Sequence, residues 1–144
     1  MARIKLFLPE TFPFSTQLPI RITDINYGNH LGNDALLGLL HEARMQFIVN
    51  AGYTELHFAG VGLIMADVAI EFKAEAFYGE VLKAYVAAGE FTKIGFDIYY
   101  KLVKGEAETV VALAKTGMVC FDYQKRKITP VPEDVLQAHH AGTF

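Results

Sequence analysis

A short polar segment near the start of the chain contains the residue types best suited to chemistry. The segment 21–44 supplies a carboxylate, two amides and an imidazole, on Asp24, Asn26, Asn33 and His30. They come at or just before a long apolar stretch of helical periodicity, so they should lie at a helix N-terminus. Free N–H groups and the helix dipole favour negative charge at such a position. The segment is therefore suited to stabilising an oxyanion or to activating water.

The two side chains in the middle of this segment can play different parts. His30 can act as a general base or orient a water molecule, and its alternative is a structural role in the turn. Asn26 cannot act as a base, because an amide does not take up a proton near neutral pH. It can position water or a carbonyl group, and its alternative is an Asx turn that caps the local backbone.

Two carboxylates are further candidates for the site. Asp24 comes two residues before Asn26, so their side chains should share one face, and its alternative is to cap the turn. Glu42 lies about two and a half turns into the helix, and its alternative is an ion pair that holds Arg44. The backbone N–H of Asn33 is a free donor at the helix start.

A long helix should follow the polar segment. Asn33 or Asp34 is its predicted N-cap, and the pair Ala51–Gly52 is a plausible stop. Apolar residues recur on nearly all sides of this helix, which predicts a central helix rather than a surface one.

The remaining pattern is that of strands. Hydrophobicity alternates with period two beyond Gly62, and Lys104–Glu106 reads as a hairpin turn. Pro132 should open a short C-terminal helix. One helix cannot cover both faces of a sheet, so we predict an α+β fold in which an antiparallel sheet curls around the helix. The predicted strands cover 16–24, 64–73, 80–91, 94–102 and 107–123.

Composition limits the class of protein. The 144 residues are enough for one domain, 1–144. Because 52% of them are apolar and only 20% charged, we expect part of the surface to be buried in a homodimer, doubled into a homotetramer. The net charge of −3 argues against nucleic acid as a partner. No run is long enough to span a membrane.

Other kinds of site find no support in the sequence. The single cysteine, Cys120, lies in an apolar run and predicts a buried thiol in a reducing, cytoplasmic setting. The histidines have no ligand spacing with cysteines or carboxylates, so no metal is expected. No glycine-rich phosphate loop is present, so no nucleotide cofactor is expected either.

The motifs together resemble a known family. The run RITDINYGNHLGNDALLGLLHEAR matches its pattern of a strand arginine, D-x-D, G-H-x-N-N and a helical E-A-R. The later runs IEFKAEAFYGEVL and KIGFDIYYKL match its next strands and the Gly79–Glu80 turn. Over roughly residues 16–123 the chain resembles the hotdog-fold thioesterases, in particular the 4-hydroxybenzoyl-CoA thioesterase-like branch. The resemblance implies a long central helix wrapped by a curved antiparallel sheet, and hydrolysis of an acyl-CoA or acyl-carrier-protein thioester.

The chain also departs from the family pattern. Asn26 stands where the best-understood members have a catalytic aspartate, Gly32 replaces the first Asn of the N-N pair, and Glu75 replaces a proline. The resemblance implies an oxyanion donor nearest Asn33. It leaves water to be activated either by His30 together with Asp24, or by Glu42, and leaves open a binding protein that has lost its acid.

Coenzyme A is expected only as part of the substrate, with no separate cofactor. Its phosphates would find partners near the turn at Thr92 and Lys93. A dehydratase of the same fold is less well supported, because the usual pairing of histidine and acid on the helix is not evident.

Overall fold

The computed structural model describes all 144 residues as a curved antiparallel sheet with a long helix packed on one face. The predicted α+β hotdog fold is confirmed. The strands are β1 (Phe14–Pro19), β2 (Gly62–Phe72), β3 (Val81–Gly89), β4 (Gly95–Lys104), β5 (Thr109–Asp122) and β6 (Lys127–Ile128), and the helices are α1 (Asn33–Asn50) and α2 (Glu133–His140). No helix is both long and apolar enough to cross a bilayer.

The strand order is β1-β3-β4-β5-β2, with the short β6 beside β5. Tight turns join β3 to β4 and β4 to β5, and the second of these contains the predicted Gly105, at φ 72°. β2 pairs with β5 rather than with its neighbour in sequence. The connection from β2 to β3 therefore crosses the sheet, and it forms one wall of the site.

The first strand is shorter than predicted. β1 ends at Pro19, and a 3₁₀ turn occupies Ile22–Asp24. The carboxylate of Asp24 accepts a hydrogen bond from the Arg21 backbone N–H at 2.8 Å, which closes that turn. A local side-chain acceptor thus replaces a strand partner, as short polar side chains often do.

Helix α1 begins one residue earlier than predicted, because Gly32 is its N-cap and makes no side-chain cap. It ends as predicted, at Ala51 and at Gly52 with φ 91°. The helix packs against the sheet as predicted, but in a single chain only one of its sides is covered. Leu40 is 1% exposed against the sheet, whereas Val49 on the opposite side is 55% exposed, since the sheet covers one side only.

The edge strand β2 contains an irregularity that the alternation did not predict. A bulge between Met65 and Asp67 shifts the register, so Met65, Val68 and Phe72 share the face that looks toward the helix layer. Asp67 points to the other face and pairs with Lys115 at 2.9 Å. The face of β2 toward the helix layer is only partly covered, because Leu63 is buried whereas Phe72 is 55% exposed.

Candidate active site

The polar turn before α1 is shaped by main-chain hydrogen bonds. The N–H of Asn26 donates to the carbonyl of His30 at 3.0 Å, and the N–H of Gly32 donates to the carbonyl of Asp24 at 2.9 Å. The N–H of Leu31 donates at 2.8 Å to the carbonyl of Ala76, in the connection between β2 and β3. Two segments far apart in sequence are thereby fixed side by side at the helix start.

A cavity of about 250 Å³ opens between these two segments. Its walls are mostly apolar, with polar groups where the turn and the helix meet. The helix side contributes His30, Leu31, Gly32, Asn33 and Leu36, and the sheet side contributes Phe72–Ala76, Val111 and Ala112.

The imidazole of His30 stands at the mouth of this cavity and is about one-third exposed. Its Nδ1 lies 3.2 Å from the Leu31 carbonyl oxygen. Because a carbonyl only accepts, this contact assigns the proton to Nδ1 and leaves the lone pair of Nε2 free. A Cβ at Gly28 would lie 3.1 Å from Nε2 and 3.2 Å from Asn26 Oδ1, so glycine makes room for both side chains.

Asn26 adopts the Asx turn that was its alternative role. Its Oδ1 accepts a hydrogen bond from the N–H of Gly28 at 2.8 Å. Its side chain does not line the cavity but lies near His30 across Gly28. The amide therefore both shapes the turn and places a polar group beside the imidazole.

Asp24 faces away from the cavity. Its buried carboxylate accepts from the Arg21 backbone and pairs with the Arg21 guanidinium at 3.2 Å. Burial raises the pKa of Asp24, but the hydrogen bonds and charge of Arg21 outweigh it and hold that pKa below its usual range. These contacts match the alternative role of Asp24, which is to cap the turn.

Glu42 also lies apart from the cavity. It is exposed on α1 and lines a separate groove with Arg21 and Gln46. The alternative role for Glu42, an ion pair with Arg44, is wrong. Arg44 turns under the helix and pairs with Glu55 at 2.8 Å, because Glu55 follows the helix and folds back beneath it.

Arg44 and Glu55 belong to a buried polar network under α1. The Arg44 guanidinium also reaches the Tyr100 hydroxyl at 3.4 Å, and that hydroxyl contacts Thr116 Oγ1 at 2.6 Å. Burial raises the pKa of Tyr100 above its usual range, so its hydroxyl stays protonated. Every buried side-chain nitrogen and oxygen in the chain has a partner.

The helix start provides the predicted donors. The N–H groups of Asn33, Asp34 and Ala35 have no backbone acceptor, and Asn33 lines the cavity. Such N–H groups and the helix dipole suit an oxygen that becomes negative during a reaction.

Thr92 and Lys93 do not meet the cavity within one chain. Thr92 caps its own turn through Gly95, at the end of β3 and β4 that is remote from His30. Strands of nine and ten residues separate the turn from the cavity end, and each residue rises about 3.3 Å. The predicted phosphate partners are therefore placed away from this chain's own candidate site.

One polar residue at the cavity was missed as a candidate. Glu75 lies in the β2–β3 connection, and its Oε1 is 4.0 Å from His30 Nε2. The sequence signal was present, since an acid stood between two small residues, Ala74 and Ala76, where the family has a proline. No group of three or more His, Cys, Asp or Glu side chains is arranged to hold a metal ion.

Comparisons with known proteins agree with the fold. The sequence profile of the thioesterase-like superfamily matches residues 20–139. No curated protein matches the chain. Among solved structures, a 1,4-dihydroxy-2-naphthoyl-CoA thioesterase from Synechocystis superposes with a TM-score of 0.77 at 20% identity, covering 90% of this chain and 94% of that one.

Two further solved structures show the same fold. A putative thioesterase from Pseudomonas aeruginosa gives a TM-score of 0.80 at 18% identity, over 90% of this chain and 99% of that one. A gentisyl-coenzyme A thioesterase gives 0.75 at 17% identity, over 85% and 99%.

Proposed function

Since the chain belongs to the thioesterase-like superfamily, we propose that it hydrolyses an acyl-CoA or acyl-carrier-protein thioester to the free acid and the thiol. The observation that carries this proposal is the meeting of three features at one place. An apolar cavity, an imidazole with a free lone pair and the unpaired N–H groups of a helix start all converge at His30 and Asn33.

The cavity binds the acyl group, and the helix start polarises its carbonyl. Attack on the thioester carbon places negative charge on the carbonyl oxygen. The N–H of Asn33 is a donor toward the cavity, and one such donor contributes about 2.7–4 kcal/mol to the transition state in other enzymes. A backbone donor needs no particular side chain, so the substitution at Gly32 does not remove it.

His30 activates the water. Its Nε2 takes one proton as the water oxygen bonds to the carbonyl carbon. When the tetrahedral intermediate collapses, the C–S bond breaks and the thiolate takes that proton from His30. Asn26 orients the imidazole and the reactants from across Gly28. Asp24 and Glu42 are engaged elsewhere and contribute through the turn and the surface.

The working unit is a homodimer built on β2, and it doubles into a tetramer. Support comes from the edge of β2, which spans 11 residues with no strand beyond it, and from the exposed apolar side chains of Met65, Val68 and Phe72. A two-fold axis through antiparallel β2 strands would bring Lys93 of the partner subunit to the same end of the joined sheet as His30. Coenzyme A phosphates would bind there.

We further propose a cytoplasmic location. The only cysteine, Cys120, is a buried thiol whose pKa is raised by burial to about 11. An unreactive lone thiol suits a reducing compartment.

Thiol release from a panel of thioesters tests the function. The panel should include aliphatic acyl-CoAs, acyl-carrier proteins and aroyl-CoAs, because two structural relatives carry the names of aroyl-CoA thioesterases. We expect turnover of at least one class. Saturable binding of an acyl-CoA without any thiol release would instead establish a binding protein.

Sedimentation tests the assembly. A mass of two or four chains at micromolar concentration is expected, and a mass near the 16.0 kDa of one chain would contradict the dimer.

A further inference from the structure

The residue that replaces the family's proline carries a carboxylate to the mouth of the cavity. Glu75 Oε1 lies 4.0 Å from His30 Nε2, and both residues line the cavity. We propose that Glu75 is a catalytic residue that holds the attacking water together with His30. Its carboxylate would play the role of the family's catalytic acid, which is replaced by Asn26 in this chain. This inference rests on the proposed thioester hydrolysis.

The main chain around Glu75 is fixed on both sides. The carbonyl of Ala76 accepts from the N–H of Leu31 at 2.8 Å, next to His30. The carbonyl of Glu75 itself accepts from Lys104 Nζ at 2.7 Å. The β2–β3 connection therefore fixes the main chain of Glu75 beside His30, and the side chain, which is 67% exposed, reaches the imidazole from the solvent side of the cavity.

Among the acids in and beside the β2–β3 connection, only Glu75 has a carboxylate with no hydrogen bond and no Lys or Arg partner. Glu71 accepts from the N–H of Leu6 and pairs with Lys73. Glu80 accepts from the N–H of Phe77 and pairs with Lys104. His30 is the only charged or polar side chain paired with the carboxylate of Glu75.

The separation of the two side chains suits a water between them. A distance of 4.0 Å is too long for a direct hydrogen bond. A water that makes normal contacts of about 2.8 Å to both atoms would subtend roughly 90° at its oxygen. Because Nε2 and the carboxylate both accept, such a water donates both its protons to them. Its lone pairs then remain free to attack a carbonyl held at the helix start.

Including Glu75 does not change the number of protons transferred in the proposed hydrolysis. The water gives one proton to Nε2 as its oxygen bonds to the thioester carbon, and the departing thiolate later receives that proton. Glu75 holds the second proton of the water by a hydrogen bond, and its negative charge stabilises the imidazolium that forms. No further reactant is needed.

The test compares three variants with the wild type in steady-state thiol release. Glu75→Gln keeps the size of the side chain but loses its charge, and Glu75→Ala removes the group. Glu106→Gln is the matched control, because Glu106 is an exposed acid in the β4–β5 turn. We expect kcat to fall about 10-fold or more in Glu75→Gln with KM changed less than two-fold, the pattern of a lost acid–base contribution. Glu106→Gln should match the wild type.

Two further readouts separate catalysis from a structural role. Formate should restore part of the activity of Glu75→Ala, because it can occupy the space left by the missing carboxylate. It should restore none of the activity of His30→Ala, because that variant lacks an imidazole. The double variant His30→Ala/Glu75→Gln should be no slower than His30→Ala alone, because both groups act on one water. Wild-type kcat in Glu75→Gln would overturn the inference and leave the thioesterase proposal standing. Absence of thiol release by the wild-type protein would overturn both.

Discussion

Two polar clusters lie against the same helix, one at its start and one under its C-terminal half, and they are built on different principles. Under α1, Arg44, Glu55, Tyr100 and Thr116 satisfy one another in a mostly buried place, and only the Glu55 end reaches the surface. At the start of α1, the lone pair of His30 and the N–H groups at Asn33 have no bonding partner within the chain. A closed network contributes stability and specificity of packing, whereas an open one is available to a substrate.

The closed network should show the largest effect of a single substitution. Arg44→Met removes the cation, which leaves Glu55 without its guanidinium partner and Tyr100 with only Thr116 as a contact, in a mostly buried place. We expect a loss of about 3 kcal/mol in the free energy of unfolding by urea. Leu37→Met, on the exposed side of the same helix, should stay within about 0.5 kcal/mol. Equal stability of the two variants would show that the network is not closed.

A substitution in the open cluster should lower activity and leave stability nearly unchanged. His30→Ala should lower kcat by about 100-fold, or about 2.7 kcal/mol in the barrier, because Nε2 is the proposed proton acceptor. Its melting temperature should stay close to that of the wild type, since the imidazole is partly exposed and its one protein hydrogen bond is to a neighbouring carbonyl. If His30→Ala kept its kcat while Glu42→Ala lost activity in a folded protein, the base would be on the helix.

Asn26 has both a structural and a catalytic part, because it shapes the turn and also stands beside the imidazole. Asn26→Ala should lower kcat by about 10-fold, or about 1.4 kcal/mol, since the Asx turn and the orientation of His30 are lost together. Asn26→Asp keeps an acceptor for the N–H of Gly28, so its activity should equal or exceed the wild type. A drop as large as that of the alanine variant would show that the amide itself is required.

The smallest effect belongs to the far end of the closed network. Thr116→Val deletes the hydroxyl that contacts Tyr100 and preserves the shape of the side chain. We expect about 1 kcal/mol of destabilisation in urea unfolding and no change in kcat. A change in kcat at constant stability would show that the two clusters are coupled through the helix.

Periodicity in the sequence was enough to predict the helix, the long strands and the fold. Those features depend on neighbours three, four or two positions apart, and such spacing is visible along the chain. The position of the polar turn at the start of α1 was predicted for the same reason, because a helix start leaves a local signature.

The contacts that complete the two clusters could not be predicted in this way. Arg44 meets Glu55 and Tyr100, and Leu31 meets Ala76, across sequence separations that no local period encodes. Glu42 looked like the partner of Arg44 because it was near in sequence, but the two side chains leave the helix in different directions. The bulge near Asp67 likewise depends on how β2 pairs with β5 rather than on its own alternation.

The main-chain bonds at the turn have an evolutionary consequence. Asn26, Gly32 and Leu31 fix the turn through N–H and carbonyl groups that almost every amino acid possesses. Mutation at such positions can exchange an acid for an amide without changing the main-chain conformation of the turn around it. A lineage on this scaffold is then free to lose a reactive side chain at one place and acquire another across the cavity, one substitution at a time and without passing through an unfolded ancestor.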